Sequence, residues 1–219
     1  MLVKDLPIGD VRHLEISDTV QAALDCMQAD HVRHLAITRG EALEGICAKD
    51  QLQDEDPDSI LETLAPYFIK EFVREEDHFL SAVSLAGQKH LTVIPVLDAN
   101  GRLTGCIEAG QLLKKVADFL RLKEPSGMIV LEMDSLQYSF SEISRIIEAN
   151  DAQITQLNTN KNEEQDTMEV TVFVNKIEIS DIVASFQRHG YSVNYYFGEE
   201  LYNNELKDNY ENLMNYLNV

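Results

Sequence analysis

The sequence predicts an α+β protein of two domains, and three observations lead to this prediction. The first is a pattern of helix and strands that occurs twice, over residues 19–52 and again over residues 78–112. The second is a new pattern after residue 126, where the order becomes strand, helix, strand, strand, helix, strand. The third is the length of 219 residues with 44% hydrophobic content, which allows two buried cores.

The two copies of the repeat align at an offset of about 59 residues, which becomes about 60 where one residue is inserted in a turn. A fixed offset indicates a duplicated unit, and two copies of one unit usually pack against each other. The matching segments are 22–24 with 81–83, 34–37 with 93–96, 45–47 with 105–107, and 51–52 with 111–112.

The first copy predicts one helix followed by two strands. Thr19 is placed to cap the helix, whose apolar positions recur three to four residues apart. The strands span 34–38 and 43–47, and the loop 39–42 between them contains a glycine and has the length of a hairpin loop. The apolar helix positions are Val20, Ala23, Leu24 and Met27.

The second copy follows an acidic connector, 53–58, which predicts a solvated loop, and a short helix over 59–64. Its own helix begins after Asp77, whose charge suits a helix start. A further helix over 109–122 is more apolar than the surface helix of a monomer needs. The apolar positions of the repeat helix are Leu80, Val83, Leu85 and Ala86.

This repeat resembles the tandem CBS (cystathionine β-synthase) domain, a regulatory module. The order of elements matches that family twice over the first 120 residues or so. The features that carry the resemblance are the amphipathic helix starting at Thr19 or Asp77, the strand 94–96, the turn 98–101 and the segment 103–107.

The resemblance implies a CBS pair over 1–122, with copies at about 1–56 and 57–122 and ligand clefts between them. It also implies that a strand over 69–73 opens the second copy. In this family the flanking helices build a homodimer interface, which agrees with the apolar excess of the helix over 109–122.

The ligand motif of the family is altered in both copies. In CBS domains that bind adenosine nucleotides, a strand leads into Gly, two apolar residues, Ser or Thr, two variable residues and Asp, and the hydroxyl and carboxylate hold the ribose. Here the first copy has Ala48 and Gln51 at those two positions, and the second copy has Glu108 and Gln111. Asp50 is one residue early, so on a helix its side chain points about 100° away.

Three interpretations of the cleft remain open: an adenine nucleotide as ligand, another small ligand, or no ligand in a unit that serves as a dimerising scaffold. The two glutamines can bind a ribose through their amides, or they can be solvated residues of a first helical turn. The Glu108 carboxylate would repel a phosphate unless a metal bridged them. The candidate ligand-binding residues are His34, Ala48, Lys49, Gln51, Pro95, Glu108 and Gln111.

The C-terminal domain is predicted over 126–198 as a ferredoxin-like βαββαβ unit. Ser139 with Glu142 predicts a capping box before the first helix, and His189-Gly190 predicts the end of the second. The predicted strands are 128–133, 152–159, 168–175 and 191–197, the second helix is 180–188, and the polar loop is 160–166.

Placed after a CBS pair, this unit resembles the ACT domain, a regulatory fold that often binds amino acids at paired interfaces. The whole arrangement is similar to the CBS-plus-ACT proteins grouped with acetoin-utilisation protein B. Amino-acid-binding ACT domains carry a glycine in the turn between the first strand and helix. The turn 134–138 has none, which favours a structural or dimerising role.

The tail over 199–219 predicts an amphipathic helix with one apolar stripe. Such a stripe requires a surface to pack on, either in its own chain, in a second subunit or in another protein. The stripe consists of Tyr202, Leu206, Tyr210, Leu213 and Leu217.

Charge and composition exclude several classes of function. The formal net charge is −20, and no basic stripe is visible, so we expect neither nucleic acid nor membrane as a partner. We see no signal peptide and no stretch of the roughly 20 apolar residues that a bilayer span needs. Three cysteines without CxxC spacing fit buried thiols in a reducing compartment. A cytoplasmic protein is predicted.

No catalytic motif is present in the sequence. His31 and His34 are three residues apart, but no cysteine or carboxylate has metal-ligand spacing to them, so no metal site is predicted. The sequence therefore predicts a non-catalytic regulatory protein, in which a homodimeric CBS pair senses a small intracellular ligand and signals to an unidentified partner protein. The alternative is a ligand-free scaffold for dimerisation and protein interaction.

Overall fold

The structure is a computed structural model that describes residues 1–9, 13–162 and 166–198. The chain divides into two compact units, Met1–Phe119 and Leu120–Val219. The helix predicted over 199–219 lies outside the described residues. Within the described part, no helix combines the length and the apolar content that crossing a membrane requires.

The N-terminal unit contains two three-stranded sheets of the same design, each with a helix between its first two strands. In each sheet the first pair of strands is parallel and the second pair is antiparallel. Their elements are β1 (Leu14–Glu15), α1 (Val20–Ala29), β2 (His34–Arg39) and β3 (Ala42–Ala48) in the first copy, and β4 (Val73–Arg74), α2 (Phe79–Lys89), β5 (Val93–Leu97), β6 (Leu103–Glu108) and α3 (Ala109–Phe119) in the second. The predicted duplication is confirmed.

Each copy is completed by the segment that precedes the other copy, and we call residues 2–9 and 60–69 the leading segments. Gly9 pairs with Cys106 of the second copy, and Ile69 pairs with Ile46 of the first. The same exchange occurs at the helix starts, where residue 2 bridges to His78 and residue 60 bridges to Thr19. The pairing is thus reciprocal, because each leading segment completes the copy that it does not directly precede in sequence.

Each buried core of the N-terminal unit contains residues of one copy and of the leading segment that covers it. One core holds α1, β2 and β3 residues together with Leu61, Leu64 and Phe68 from the second leading segment. The other holds α2, β5 and β6 residues together with Val3 and Leu6 from the first. Burial of such aliphatic and aromatic side chains contributes roughly 1.5–3 kcal/mol each, so the leading segments are structural parts of the copies they cover.

Several predicted boundaries in this unit were wrong. The strand predicted over 69–73 is reduced to Val73–Arg74 because Ile69 pairs with the other copy. The short helix predicted over 59–64 is a 3-10 helix at Leu61–Tyr67. The helix predicted to reach residue 122 ends at Phe119. In α2 the fully buried residues are Phe79 and Ala82, whereas Leu80, one of the predicted apolar positions, is exposed.

The C-terminal unit has the predicted βαββαβ order and forms one antiparallel sheet with strand order β10-β7-β9-β8. Its core contains apolar residues of both helices, such as Ile143 and Phe186, with alternate residues of the strands. The elements are β7 (Gly127–Asp134), α4 (Phe140–Glu148), β8 (Ile154–Asn162), β9 (Thr167–Val174), α5 (Ser180–Arg188) and β10 (Ser192–Phe197). The α+β fold class is confirmed.

Two details of the C-terminal unit differ from the prediction. The polar loop predicted over 160–166 is shorter, because β8 continues to Asn162 and β9 starts at Thr167. Ser139 caps α4 by accepting a hydrogen bond from the Glu142 N–H at 3.4 Å, but the reciprocal bond of the predicted capping box, from the Ser139 N–H to the Glu142 carboxylate, is not formed between these two described residues.

Candidate functional site

Two glycines mark equivalent positions in the third strand of each sheet, β3 and β6. Gly45 has φ +154° and Gly105 has φ +153°, a region in which residues with a Cβ are rare. A Cβ added at Gly45 would lie 2.8 Å from Phe68 Cβ, and one added at Gly105 would lie 2.5 Å from Ile8 Cγ2. Glycine is required here because each leading segment packs directly on the backbone of the other copy.

In the first copy, the candidate ligand residues are close together and bonded to one another. His34 faces Ala48 across the β2–β3 pair, and a 3-10 turn, Lys49–Gln51, follows. Gln51 Oε1 accepts the Ala48 N–H at 2.9 Å, and Gln51 Nε2 donates to the Tyr67 carbonyl oxygen at 2.7 Å. Both ends of this amide are therefore used within the unit, and they tie the turn to the second leading segment.

In the second copy, the equivalent glutamine has a different environment. Glu108 faces Val93 across the β5–β6 pair, and Gln111 lies in the first turn of α3. Gln111 Oε1 is buried and has no hydrogen-bond partner among the described residues. A buried acceptor left unpaired costs about 1–3 kcal/mol. The two motifs are thus equivalent in sequence but not in hydrogen bonding.

The remaining candidate, Pro95, is buried in β5 and pairs with Cys106. Asp50, which is displaced by one residue from the family's carboxylate position, forms an ion pair with Arg33 at 3.0 Å. The structure therefore brings together His34, Ala48 and Gln51 in one copy. It places Glu108 and Gln111 in the other copy.

A polar contact that the sequence analysis missed joins the two copies. Thr92 N–H donates to His34 Nδ1 at 3.2 Å, and Thr92 Oγ1 lies 3.0 Å from the same nitrogen. Thr92 Oγ1 also accepts the Arg33 N–H at 3.0 Å. Arg33 and Thr92 occupy equivalent positions in the repeat, so the alignment could have indicated that they meet at the axis relating the copies.

The hydrogen bonds and surroundings of His34 determine which ring nitrogen carries the proton and whether the ring is charged. Because Nδ1 accepts a backbone N–H, the proton of the neutral ring is on Nε2. Burial lowers the pKa of His34, the neighbouring Arg33 guanidinium lowers it further, and Asp50 opposes both. His34 is therefore a neutral link between the copies rather than a cation.

The three cysteines are buried, as predicted, and burial raises the pKa of the Cys47 and Cys106 thiols to about 12. Among residues 1–9, 13–162 and 166–198, no group of three His, Cys, Asp or Glu side chains is arranged to hold a metal ion.

The structure was compared with known proteins. Its structural neighbours are CBS-domain pair proteins. A CBS domain pair/ACT domain protein from Thermotoga maritima is 25% identical, with a TM-score of 0.49 over 55% of this chain and 99% of that one. The CBS domains of a transcriptional regulator from Streptococcus pneumoniae are 14% identical, with a TM-score of 0.47 over 52% of this chain and 98% of that one.

The cytosolic domain of the Mg²⁺ channel MgtE, in complex with ATP, is 19% identical and has a TM-score of 0.41, over 49% of this chain and 46% of that one. No protein-family model matches the sequence, and the search of curated proteins gave no match.

Proposed function

We propose that the N-terminal unit is a non-catalytic regulatory module that binds a small intracellular ligand beside Gln111 and signals to a partner protein. The buried, unpaired Gln111 Oε1 supports this proposal. A ligand that donates a hydrogen bond to this oxygen, such as a ribose hydroxyl, would relieve the cost of the orphan acceptor, provided that binding turns the buried amide towards the ligand. Gln51 offers no such position, because both ends of its amide are already bonded.

The neighbouring carboxylate defines the class of ligand. Glu108 occupies the position where the related motif has a hydroxyl, and its charge disfavours a phosphate in the same cleft. A nucleoside whose 5′ group is neutral or cationic, such as adenosine or S-adenosylmethionine, suits the site better than ATP. An adenine nucleotide, which the family resemblance implies, is tested beside these ligands for comparison.

The test uses the two equivalent glutamines as a matched pair. Gln111→Leu removes an unpaired acceptor, so we expect the melting temperature of the free protein to stay the same or rise, and the stabilisation by adenosine or S-adenosylmethionine to disappear. Gln51→Leu leaves the Ala48 N–H and the Tyr67 carbonyl unpaired, so it should destabilise the free protein and leave the ligand response intact.

Thermal shift measures both effects, since ligand at a hundred times its dissociation constant stabilises by about 2.7 kcal/mol. A panel of adenosine, S-adenosylmethionine, AMP, ADP and ATP that shifts neither the natural protein nor the variants would reject ligand sensing. An equal loss of response in both variants would reject the assignment to Gln111.

A ligand-free interaction scaffold is the second candidate, and one observation favours it. Leu113 and Phe119 of α3 are 72% and 51% exposed, which is high for large apolar side chains on one helix. A second copy of the chain that covers α3 would account for this exposure. We therefore propose homodimerisation through α3.

A further inference from the structure

The C-terminal unit contains a cleft of about 490 Å³ that the proposed function does not use. It opens where β7 ends and β10 begins, beside the start of α4 and the end of α5. Its volume lies within the roughly 300–1,000 Å³ range of small-molecule sites. The lining residues are Glu132, Met133, Gln137, Glu142, His189, Gly190, Tyr191 and Ser192.

Two carboxylates on different elements face this cleft. Glu132 of β7 accepts a hydrogen bond from Asn194 Nδ2 at 2.8 Å, and Glu142 of α4 lines the cleft beside Tyr191. A carboxylate offers about four acceptor positions, so each retains capacity for a further donor. Glu142 forms a long ion pair of 4.0 Å with Arg145 of the same helix, and no lysine or arginine is among the residues that line the cleft.

A third acceptor comes from the histidine that ends α5. His189 Nδ1 lies 2.8 Å from the Ser185 carbonyl oxygen. Because a carbonyl only accepts, Nδ1 carries the proton, and in the neutral ring Nε2 is an acceptor. The chain leaves the helix at Gly190 with φ +83°, which fits its role as a C-cap glycine.

The chemistry of the cleft selects the type of ligand. Two carboxylates and an imidazole acceptor disfavour an anion. In the part of the chain that is described, these side chains are not grouped closely enough to hold a metal ion. The three acceptors are Glu132 on β7, Glu142 on α4 and His189 at the end of α5. An extended molecule that carries several separate N–H donors can reach all three.

We propose that this cleft binds an organic cation of the diamine or polyamine class. Its ammonium groups pair with the Glu132 and Glu142 carboxylates and donate to His189 Nε2. The site lies in a different unit from the one assigned to a nucleoside ligand, so it gives the protein a second, independent input.

The experiment titrates the full chain with spermidine, followed by calorimetry and by amide chemical shifts. Glu132→Gln/Glu142→Gln removes the two cleft carboxylates, and Glu148→Gln/Glu178→Gln removes two exposed carboxylates of the same unit outside the cleft. Both variants have the same net charge. We expect the cleft variant to bind spermidine about tenfold or more weakly, and the control to bind it like the natural protein.

The natural protein provides a second readout that needs no variant. Spermidine should shift the amides of residues 132–142 and 189–192, whereas 1,4-butanediol, which lacks the ammonium groups, should not. Equal weakening in both variants would overturn the proposal, because it would indicate attraction to the net charge alone. Shifts spread over the whole acidic surface, or matched by Mg²⁺ at the same ionic strength, would also overturn it.

Discussion

At the scale of single residues, the two copies differ where their sequences suggest that they are the same. Gln51 and Gln111 occupy equivalent positions, yet one amide is fully bonded and the other has a buried unpaired oxygen. The contact between His34 and Thr92 is equally one-sided, because the residue equivalent to His34 is Val93. The two copies therefore differ in their polar contacts, whereas Gly45 and Gly105 have the same backbone conformation in both.

His34 predicts a specific dependence of stability on pH. Its pKa in the folded protein is below the ordinary value of 6.5, so the folded state takes up a proton less readily than the unfolded state. The contribution of His34 is present in full above pH 6.5 and is lost as the pH falls through the lowered pKa. Urea unfolding at pH 7.5, 6.5 and 5.5 measures it.

The matched variant is His34→Asn, which keeps an acceptor near Nδ1 but does not titrate. We expect the natural protein to lose more stability between pH 7.5 and 5.5 than this variant, since the other five histidines are common to both. Equal losses would contradict the assignment of His34 as a neutral link between the copies.

At the scale of elements, the leading segments determine which parts of the chain are stable together. Residues 2–9 cover the second copy and residues 60–69 cover the first. The sequence predicted the helices and hairpins well because their apolar periodicity is local. It did not predict the exchange, because short segments carry no pattern that tells which of two similar surfaces they will cover.

The exchange predicts where a core mutation acts. Leu6 and Leu64 are 5% and 6% exposed and lie in opposite cores. Leu6→Ala and Leu64→Ala should each cost about 2–5 kcal/mol of unfolding free energy. We expect Leu6→Ala to accelerate amide exchange first in β5 and β6, and Leu64→Ala to accelerate it first in β2 and β3.

Hydrogen exchange by mass spectrometry or NMR distinguishes these patterns. The reverse result, in which Leu6→Ala loosens β2 and β3 first, would mean that each leading segment stabilises the copy that follows it in sequence. That result would contradict the reciprocal arrangement.

At the scale of the whole molecule, the order of elements in both units follows from the sequence. The repeat, the change of pattern after residue 126 and the βαββαβ order were all predicted from spacing. The functional positions were less predictable, since Gln51 is hydrogen-bonded to Tyr67 and His34 to Thr92, partners that are distant in sequence, while Gln111 Oε1 has no partner among the described residues. The cleft in the C-terminal unit joins strand and helix ends that no motif connects.

The exposed apolar side chains of α3 predict the oligomeric state. The natural protein should have the mass of a dimer by light scattering, and Leu113→Glu should convert it to a monomer, because a charge would be buried in the interface without a partner. Leu136→Glu is the control, because Leu136 is 91% exposed in the other unit and its replacement should leave the mass unchanged. A natural protein that is monomeric at all concentrations would contradict homodimerisation.

Because of the reciprocal pairing, the two halves of the N-terminal unit depend on each other when they are expressed separately. One half of the N-terminal unit, expressed alone, would have an uncovered sheet surface. It would also have a free leading segment that fits the equivalent surface of another half. Two such halves would cover each other by exchanging these segments, as the two copies do within this chain. When the two halves are expressed together, we expect them to reassemble with each other. When one half is expressed alone, we expect it to pair with a second copy of itself.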